Sequence, residues 1–407
     1  MGILGARISP VAVSTWYRVG MALGALIAGL FLLAYVGLVA LVAWAVRVVA
    51  LRGGLVPGAW LFALVAGGCL LILSLLKPLV ARAGRTPEPR FLDPDKEPLL
   101  FAFVRELASS GGTPEPSRIA VDWNVNCCCV FAGGVGGFLR SALVLQVGLP
   151  LVSGLRLDEL GGVLAHELAH AAQTKAARSS RILCSVHSWF SRVAFKQDEL
   201  DELLVKKLET AGAFIRLLLR LAALLFHLGR GVLRLLAVAE SAAVSVFLRR
   251  MELEADRHQA RVAGTEAFVS AALEVNLLAF AAQRAIVELS RTSRKGRLVD
   301  NYPGLVAAVR QRYSREFVQR VRSGLEERET GRFSAHPCDK ERITLAREEN
   351  CQGILTAGLP ASILFADYNS LCREVTLEFY DQEFCLKRDS SELVPLQSFL
   401  NELEAVY

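Results

Sequence analysis

Val163-Leu164-Ala165-His166-Glu167-Leu168-Ala169-His170 lies inside a run that reads as one helix, and the rest of the chain takes its meaning from it. Residues four apart share a helix face, so His166 and His170 can aim imidazole nitrogens at one metal ion. Glu167, one step round, can reach a water on that metal and act as its general base. A surface helix carrying two histidines and a glutamate by chance would read the same, so the surroundings must discriminate. The helix is expected to start near Asp158, an acceptable N-cap, with Leu157, Leu160, Leu164 and Leu168 as its buried stripe.

Immediately upstream, Arg118 to Asp122, Val125 to Phe131 and Leu139 to Val147 are short segments rich in alternating or β-branched residues, with glycine-rich turns between them. They predict a small sheet beside the histidine helix. Glu97 to Ala108 has helical spacing in Leu99, Leu100, Phe103 and Leu107 and stops at Ser109-Ser110-Gly111-Gly112. Gly84 to Pro98 is polar and proline-rich and reads as a linker. Downstream, Lys175 to Ser191 is basic and serine-rich, and its His187 reads as a solvated loop histidine rather than a ligand.

The chain has 407 residues, 53% of them hydrophobic and 21% charged, which is too apolar for an ordinary soluble protein and implies membrane segments. Between Arg18 and Arg47, and again from Gly53 to Leu76, no charge interrupts the apolar run. Each stretch is long enough to cross a bilayer core, so the N-terminal part (1–83) is expected to be a transmembrane hairpin with spans at about 20–46 and 53–76. The first run is too long, and starts too late, for the apolar core of a signal peptide. Arg7 and Arg18 precede the hairpin, and Lys77, Arg82, Arg85 and Arg90 follow it, against Arg47 and Arg52 in its turn. That asymmetry places both outer flanks in the cytoplasm.

The net charge of +6 is spread along the chain without a basic patch, which excludes a nucleic-acid groove. Nine cysteines without a C-x-x-C pair argue for reduced thiols in a reducing compartment. Cys127, Cys128 and Cys129 are consecutive on a predicted strand, where alternate side chains face opposite ways, so they make a poor metal site. From Glu209 to Arg250 an apolar stretch is interrupted by Arg216, Arg220, His227, Arg230 and Arg234, all projecting within about 40° of one direction on a helix. One helix, or a hairpin broken at Gly229-Arg230-Gly231, would serve; the narrow polar stripe points to membrane contact, at the interface or as two short spans.

Arg249-Arg250-Met251-Glu252-Leu253-Glu254-Ala255-Asp256 supplies what the histidines lack. A catalytic zinc takes three protein ligands and keeps one open position, and a carboxylate is an acceptable third donor. Glu252 with Asp256 one turn later could provide that ligand and an acceptor that orients a histidine. By chemistry alone Glu254 is nearly as good a candidate as Glu252.

H-E-x-x-H followed, after a long helical insertion, by R-x-x-E-x-x-A-D resembles the membrane-associated gluzincin peptidases that include HtpX and the CAAX prenyl endopeptidases. Arg249, Glu252, Ala255 and Asp256 match the second element, and the resemblance assigns the zinc ligand to Glu252. It also implies that Asn126 lies on a substrate-binding edge strand, with cysteines where the family has small and aromatic residues. His336-Pro337 with Arg342 matches a later family element, which implies that these two residues stabilise the oxyanion. The similarity covers roughly Pro78 to Glu348.

The expectation is therefore a mainly α protein with a small β-sheet: an α+β zincin-like catalytic domain (84–348) carrying an apolar helical insertion (209–250), behind an N-terminal transmembrane helical hairpin. Residues 349–407 form a C-terminal appendage, in which Val375 to Tyr380 alternates. His166, His170 and Glu252 would hold one Zn2+, Asp256 would orient a ligand, and Glu167, His336 and Arg342 would be catalytic. The expected activity is a zinc endopeptidase of the bacterial inner or plasma membrane, acting on the cytoplasmic side on protein or peptide substrates in quality control. Processing of one lipidated or membrane-tethered substrate is the rival within the enzymes, and a catalytically silent membrane scaffold the rival outside them.

Overall fold

A computed structural model describes residue 8 and residues 15–52, 58–80, 90–131, 142–176, 178–195, 212–293, 296–331, 334–384 and 392–406. Residues 84–89 of the predicted linker, the turn of the N-terminal hairpin and the first residues of the 209–250 stretch lie outside the described residues.

Two long helices open the chain, α1 (Thr15–Arg52) and α2 (Gly58–Val80). α1 covers the first uncharged run and α2 the second from Gly58 onward, and both continue past the C-terminal ends of the expected spans, α1 reaching about 57 Å at 1.5 Å per residue. Leu26, Leu30 and Leu33 of α1 and Phe62, Leu64 and Leu73 of α2 are exposed, an arrangement that water penalises and lipid does not. The exposed indoles of Trp16 and Trp44 sit toward opposite ends of α1, as interfacial aromatics do. The Tyr35 hydroxyl donates to the Leu75 carbonyl and ties the two helices together.

The sheet follows as β1 (Arg90–Phe91), β2 (Arg118–Asp122), β3 (Cys127–Phe131) and β4 (Leu143–Gly148), in the order β1-β2-β4-β3. β2 runs parallel to β4, while β3 is antiparallel to β4 and forms one edge of the sheet. Between β1 and β2 lies α3 (Pro98–Gly111), which ends on Gly112 in the left-handed conformation, as the glycine breaker predicts. After a short α4 (Leu149–Gly154) comes the histidine helix α5 (Leu157–Ala176). Its Leu157, Leu160, Leu164 and Leu168 enter a core shared with Phe103 and Leu107 of α3 and Val121, Leu145 and Val147 of the sheet.

Lys175 to Ser191 is not a loop. Most of it lies in α6 (Arg178–Phe195), which buries Leu183, Phe190 and Ala194 against α1 and the next helix. The reading as a solvated loop missed an amphipathic helix, because its apolar residues recur at helical spacing among arginines and serines that keep the average polarity high. His187 is accordingly no loop histidine: its Nδ1 lies 2.9 Å from the fully buried Glu240.

From Ala213 on, the 209–250 stretch and the Glu252 motif form one helix, α7 (Ala213–Ala263), unbroken at Gly229-Arg230-Gly231. A β-carbon at Gly229 would lie 2.2 Å from the Ser74 hydroxyl of α2, so the glycine marks a close helix crossing rather than a turn. Arg234 donates to the carbonyl of Ala194 near the end of α6. α8 (Thr265–Ser293) returns across the domain, followed by β5 (Arg297–Val299), α9 (Tyr302–Gln311), α10 (Arg315–Glu327) and α11 (Asp339–Glu349). Among the described residues, three helical stretches are long and apolar enough to cross a membrane: Thr15–Leu51, Ala223–Ala263 and Thr265–Ser293. The last of these buries Ala281, Ala285 and Leu289 in the hydrophobic core that holds the α5 leucines, so packing accounts for much of its apolarity.

Beyond a 3-10 turn at Ala361–Leu364, the chain closes with α12 (Tyr368–Glu383), β6 (Glu392–Val394) parallel to β5, and α13 (Leu396–Val406). Val375 to Tyr380 alternates over six residues but is helical. Leu371, Cys372, Val375, Thr376, Phe379 and Tyr380 recur at helical period and are all buried. Leu364, Phe365, Val375 and Phe379 share the core that holds the α5 leucines. The result is a mainly α protein with small sheets and long apolar N-terminal helices, as the sequence implies.

Candidate active site

α5 and α7 pack along each other and present three side chains to one point. His166 and His170 Nε2 are 3.1 Å apart, and each lies 3.5 Å from an oxygen of Glu252. A tetrahedral zinc with ligand bonds of about 2.0–2.1 Å needs donor–donor separations of about 3.3–3.4 Å, so this triangle is the right size. Two imidazole nitrogens and a carboxylate are also the donor set that zinc takes in catalytic sites. Glu254 is turned away and pairs with Arg257 at 2.6 Å. Of the two carboxylates that spacing left open, the packing puts Glu252 beside the histidines and Glu254 beside Arg257.

Behind the triangle, His166 Nδ1 sits 3.1 Å from Asp256 Oδ1, an ion-pair contact off the line of an ideal hydrogen bond. Asp256 is completely buried and accepts two hydrogen bonds from Arg342, at 2.9 and 2.6 Å. Burial alone would raise the Asp256 carboxyl, but the guanidinium outweighs it and holds the group at about 2. Burial likewise opposes a charged His166, yet Asp256 and Glu252 together lift it to about 10. For Glu252 the three imidazoles of His166, His170 and His336 overcome a burial penalty and keep it well below the usual carboxylate range. The buried carboxylates of Glu252 and Asp256 thus make the surroundings of the two imidazoles favourable to positive charge.

The other sequence candidates converge on the same place. Glu167 lines a cavity of about 220 Å³ together with His166, Glu252, Asn126, Cys127 and Arg342. His336, three-quarters exposed, lies with Nδ1 3.1 Å from Glu252 Oε1, and that carboxylate raises its pKa. Arg342 reaches the cavity wall, and two of its guanidinium nitrogens, Nε and Nη2, bond Asp256 behind His166, while Nη1 lies 3.9 Å from Asp339. Asn126 precedes β3, and its carbonyl accepts from Gly148 N–H, which fixes the start of the edge strand beside α5. Burial, and then the Glu167 charge, push the Cys127 thiol far up and Cys128 to about 11, so both are protonated thiols.

Sequence reasoning passed over three buried groups here. Gln173 and Gln259 are polar and nearly inaccessible, and His258 is buried with neither ring nitrogen partnered by a side chain or backbone group. Gln173 could have been found: it stands three residues after His170, hence on the same helix face.

The family model of peptidase family M48 matches residues 94–350. The chain belongs to peptidase family M48. That is the family of the HtpX and CAAX prenyl metallopeptidases, and the match takes in β2, β3 and β4, α5, α7 and the His336–Arg342 element alike. As an M48 member this protein is a metallopeptidase. No curated protein and no solved structure matches the chain.

Proposed function

We propose that this M48 protein is an integral membrane zinc endopeptidase that cleaves exposed segments of membrane proteins, as in quality control, from the cytoplasmic side. The observation that carries the reading is where the ligand triangle stands. Tyr17 and Met21, at the start of the apolar α1, pack with Met251, the residue before Glu252. The groups that would hold the metal therefore stand at the foot of the apolar helices.

His166, His170 and Glu252 would hold one Zn2+, which supplies a Lewis acid for the scissile carbonyl and lowers the pKa of water there. Glu167 takes a proton from the attacking water and returns it to the leaving amine. His336, exposed beside Glu252, donates a hydrogen bond to the developing oxyanion, and Arg342 supports the site through Asp256. The edge strand β3, starting beside Asn126, receives the substrate backbone by strand addition.

The test is hydrolysis of casein and of a transmembrane substrate by zinc-loaded protein in liposomes, beside metal analysis. Glu167→Gln should retain one zinc per chain and lose about 10²–10⁴-fold in kcat. Stoichiometric zinc with no cleavage of either substrate, and no cellular phenotype for Glu167→Gln, would sink the endopeptidase reading and favour the scaffold.

A further inference from the structure

We propose that Gln173 is a positioning residue for the metal centre, holding His170 in the ligating tautomer and fastening it to the turn of α7 that carries Glu252. This rests on the zinc reading above. Two hydrogen bonds carry it. Gln173 Oε1 is 3.2 Å from His170 Nδ1, and Gln173 Nε2 donates to the Met251 carbonyl at 3.0 Å.

The side-chain amide has one acceptor end and one donor end, so the Met251 carbonyl decides which way round it lies. A carbonyl can only accept, which turns Nε2 toward Met251 and leaves Oε1 facing His170. His170 must then carry its proton on Nδ1 and keep the Nε2 lone pair free, and Nε2 is the atom in the ligand triangle. Gln173 is fully buried, so no water competes for either bond.

The two histidines are thus oriented by different means. His166 is backed by a buried carboxylate held by arginine, and His170 by a neutral amide that is also tied to the opposite helix. Because Met251 immediately precedes Glu252, one side chain links the second histidine to the third ligand. Such outer contacts orient ligating histidines, and their loss typically weakens metal binding by about 10–100-fold.

The experiment uses the full chain in detergent, with zinc ions competed against a chelator and Co2+ as a spectroscopic reporter. Gln173→Met fills the same space with no polar atom. It should weaken zinc about 10–100-fold and change the Co2+ d–d spectrum, while the melting temperature of the metal-free protein stays put. Gln173→Glu keeps an acceptor for His170 Nδ1 but sets an oxygen against the Met251 carbonyl, so it should bind zinc more tightly than Gln173→Met and less tightly than wild type. Wild-type affinity in Gln173→Met overturns the proposal. So does a Gln173→Glu variant as weak as Gln173→Met, or a metal-free melting temperature that collapses in both, since either result makes the residue merely structural. Failure of the wild-type chain to bind zinc, with His170→Ala no different, would instead bring down the metal-centre reading itself.

Discussion

At the scale of single residues, the site depends on charges that are buried in pairs. Removing Arg342 leaves Asp256 ionised with no access to water, a defect that typically costs about 3–5 kcal/mol. Arg342→Ala should therefore lower the melting temperature in detergent as well as zinc affinity. Arg342→Lys, a point charge that cannot reproduce the two-pronged contact, should fall between it and wild type. His258 makes a second prediction. Burial, aided by Arg261, lowers its pKa from 6.5 to about 4. The folded state then binds this proton more weakly than the unfolded chain. Stability from this group is complete above about pH 6.5 and is lost as pH falls toward 4, on the order of 3 kcal/mol. His258→Leu should flatten that acid limb, which melting curves at pH 7.5 and pH 5 would show; an unchanged pH dependence would rule His258 out as its source.

At the scale of elements, the segment just past the family match connects α5 and α7. Leu157 and Asp158, opening α5, donate to the carbonyls of Leu359 and Ala357. Ile354 and Leu355 donate to Val262 near the end of α7, and Thr265 N–H to Cys351. The crossing is tight: Gly353 has φ +78°, and a β-carbon there would lie 2.4 Å from the Gly264 nitrogen. Gly353→Val should therefore strain both the turn and the crossing, lowering melting temperature and zinc affinity together. Leu355→Ala, which removes a fully buried side chain from the core around α5, should cost about 2–5 kcal/mol. Wild-type melting and zinc binding in both variants would mean that the strap plays no part in holding the helices.

At the scale of the whole molecule, α1, α2, α6 and the first half of α7 pack together by small-residue crossings and buried tyrosines, with an apolar exterior. Both flanks of the N-terminal hairpin carry the excess of arginine and lysine, so a cysteine introduced at Thr86 should be labelled only from the cytoplasm. Labelling from the opposite side would invert the orientation proposed for the catalytic domain. The apolar stretch of α7 should also resist protease in liposomes and become accessible when the bilayer is dissolved.

The histidine helix, the sheet before it, the apolar hairpin and the motif around Glu252 were legible in the sequence, because helical and strand periodicity and charge-free length are local properties. What the tertiary structure alone decided depends on contacts between residues far apart in the chain. Spacing left Glu252 and Glu254 open as ligands until helix packing aimed one at the histidines and the other at Arg257. Arg342 reaches Asp256 across 86 residues, and Gln173 reaches Met251 across 78. Gly229 reads as a helix breaker until Ser74 lies against it. The basic run around His187 became a helix for the same reason: the apolar surface that rewards it belongs to α1 and α7, and no window of sequence contains all three.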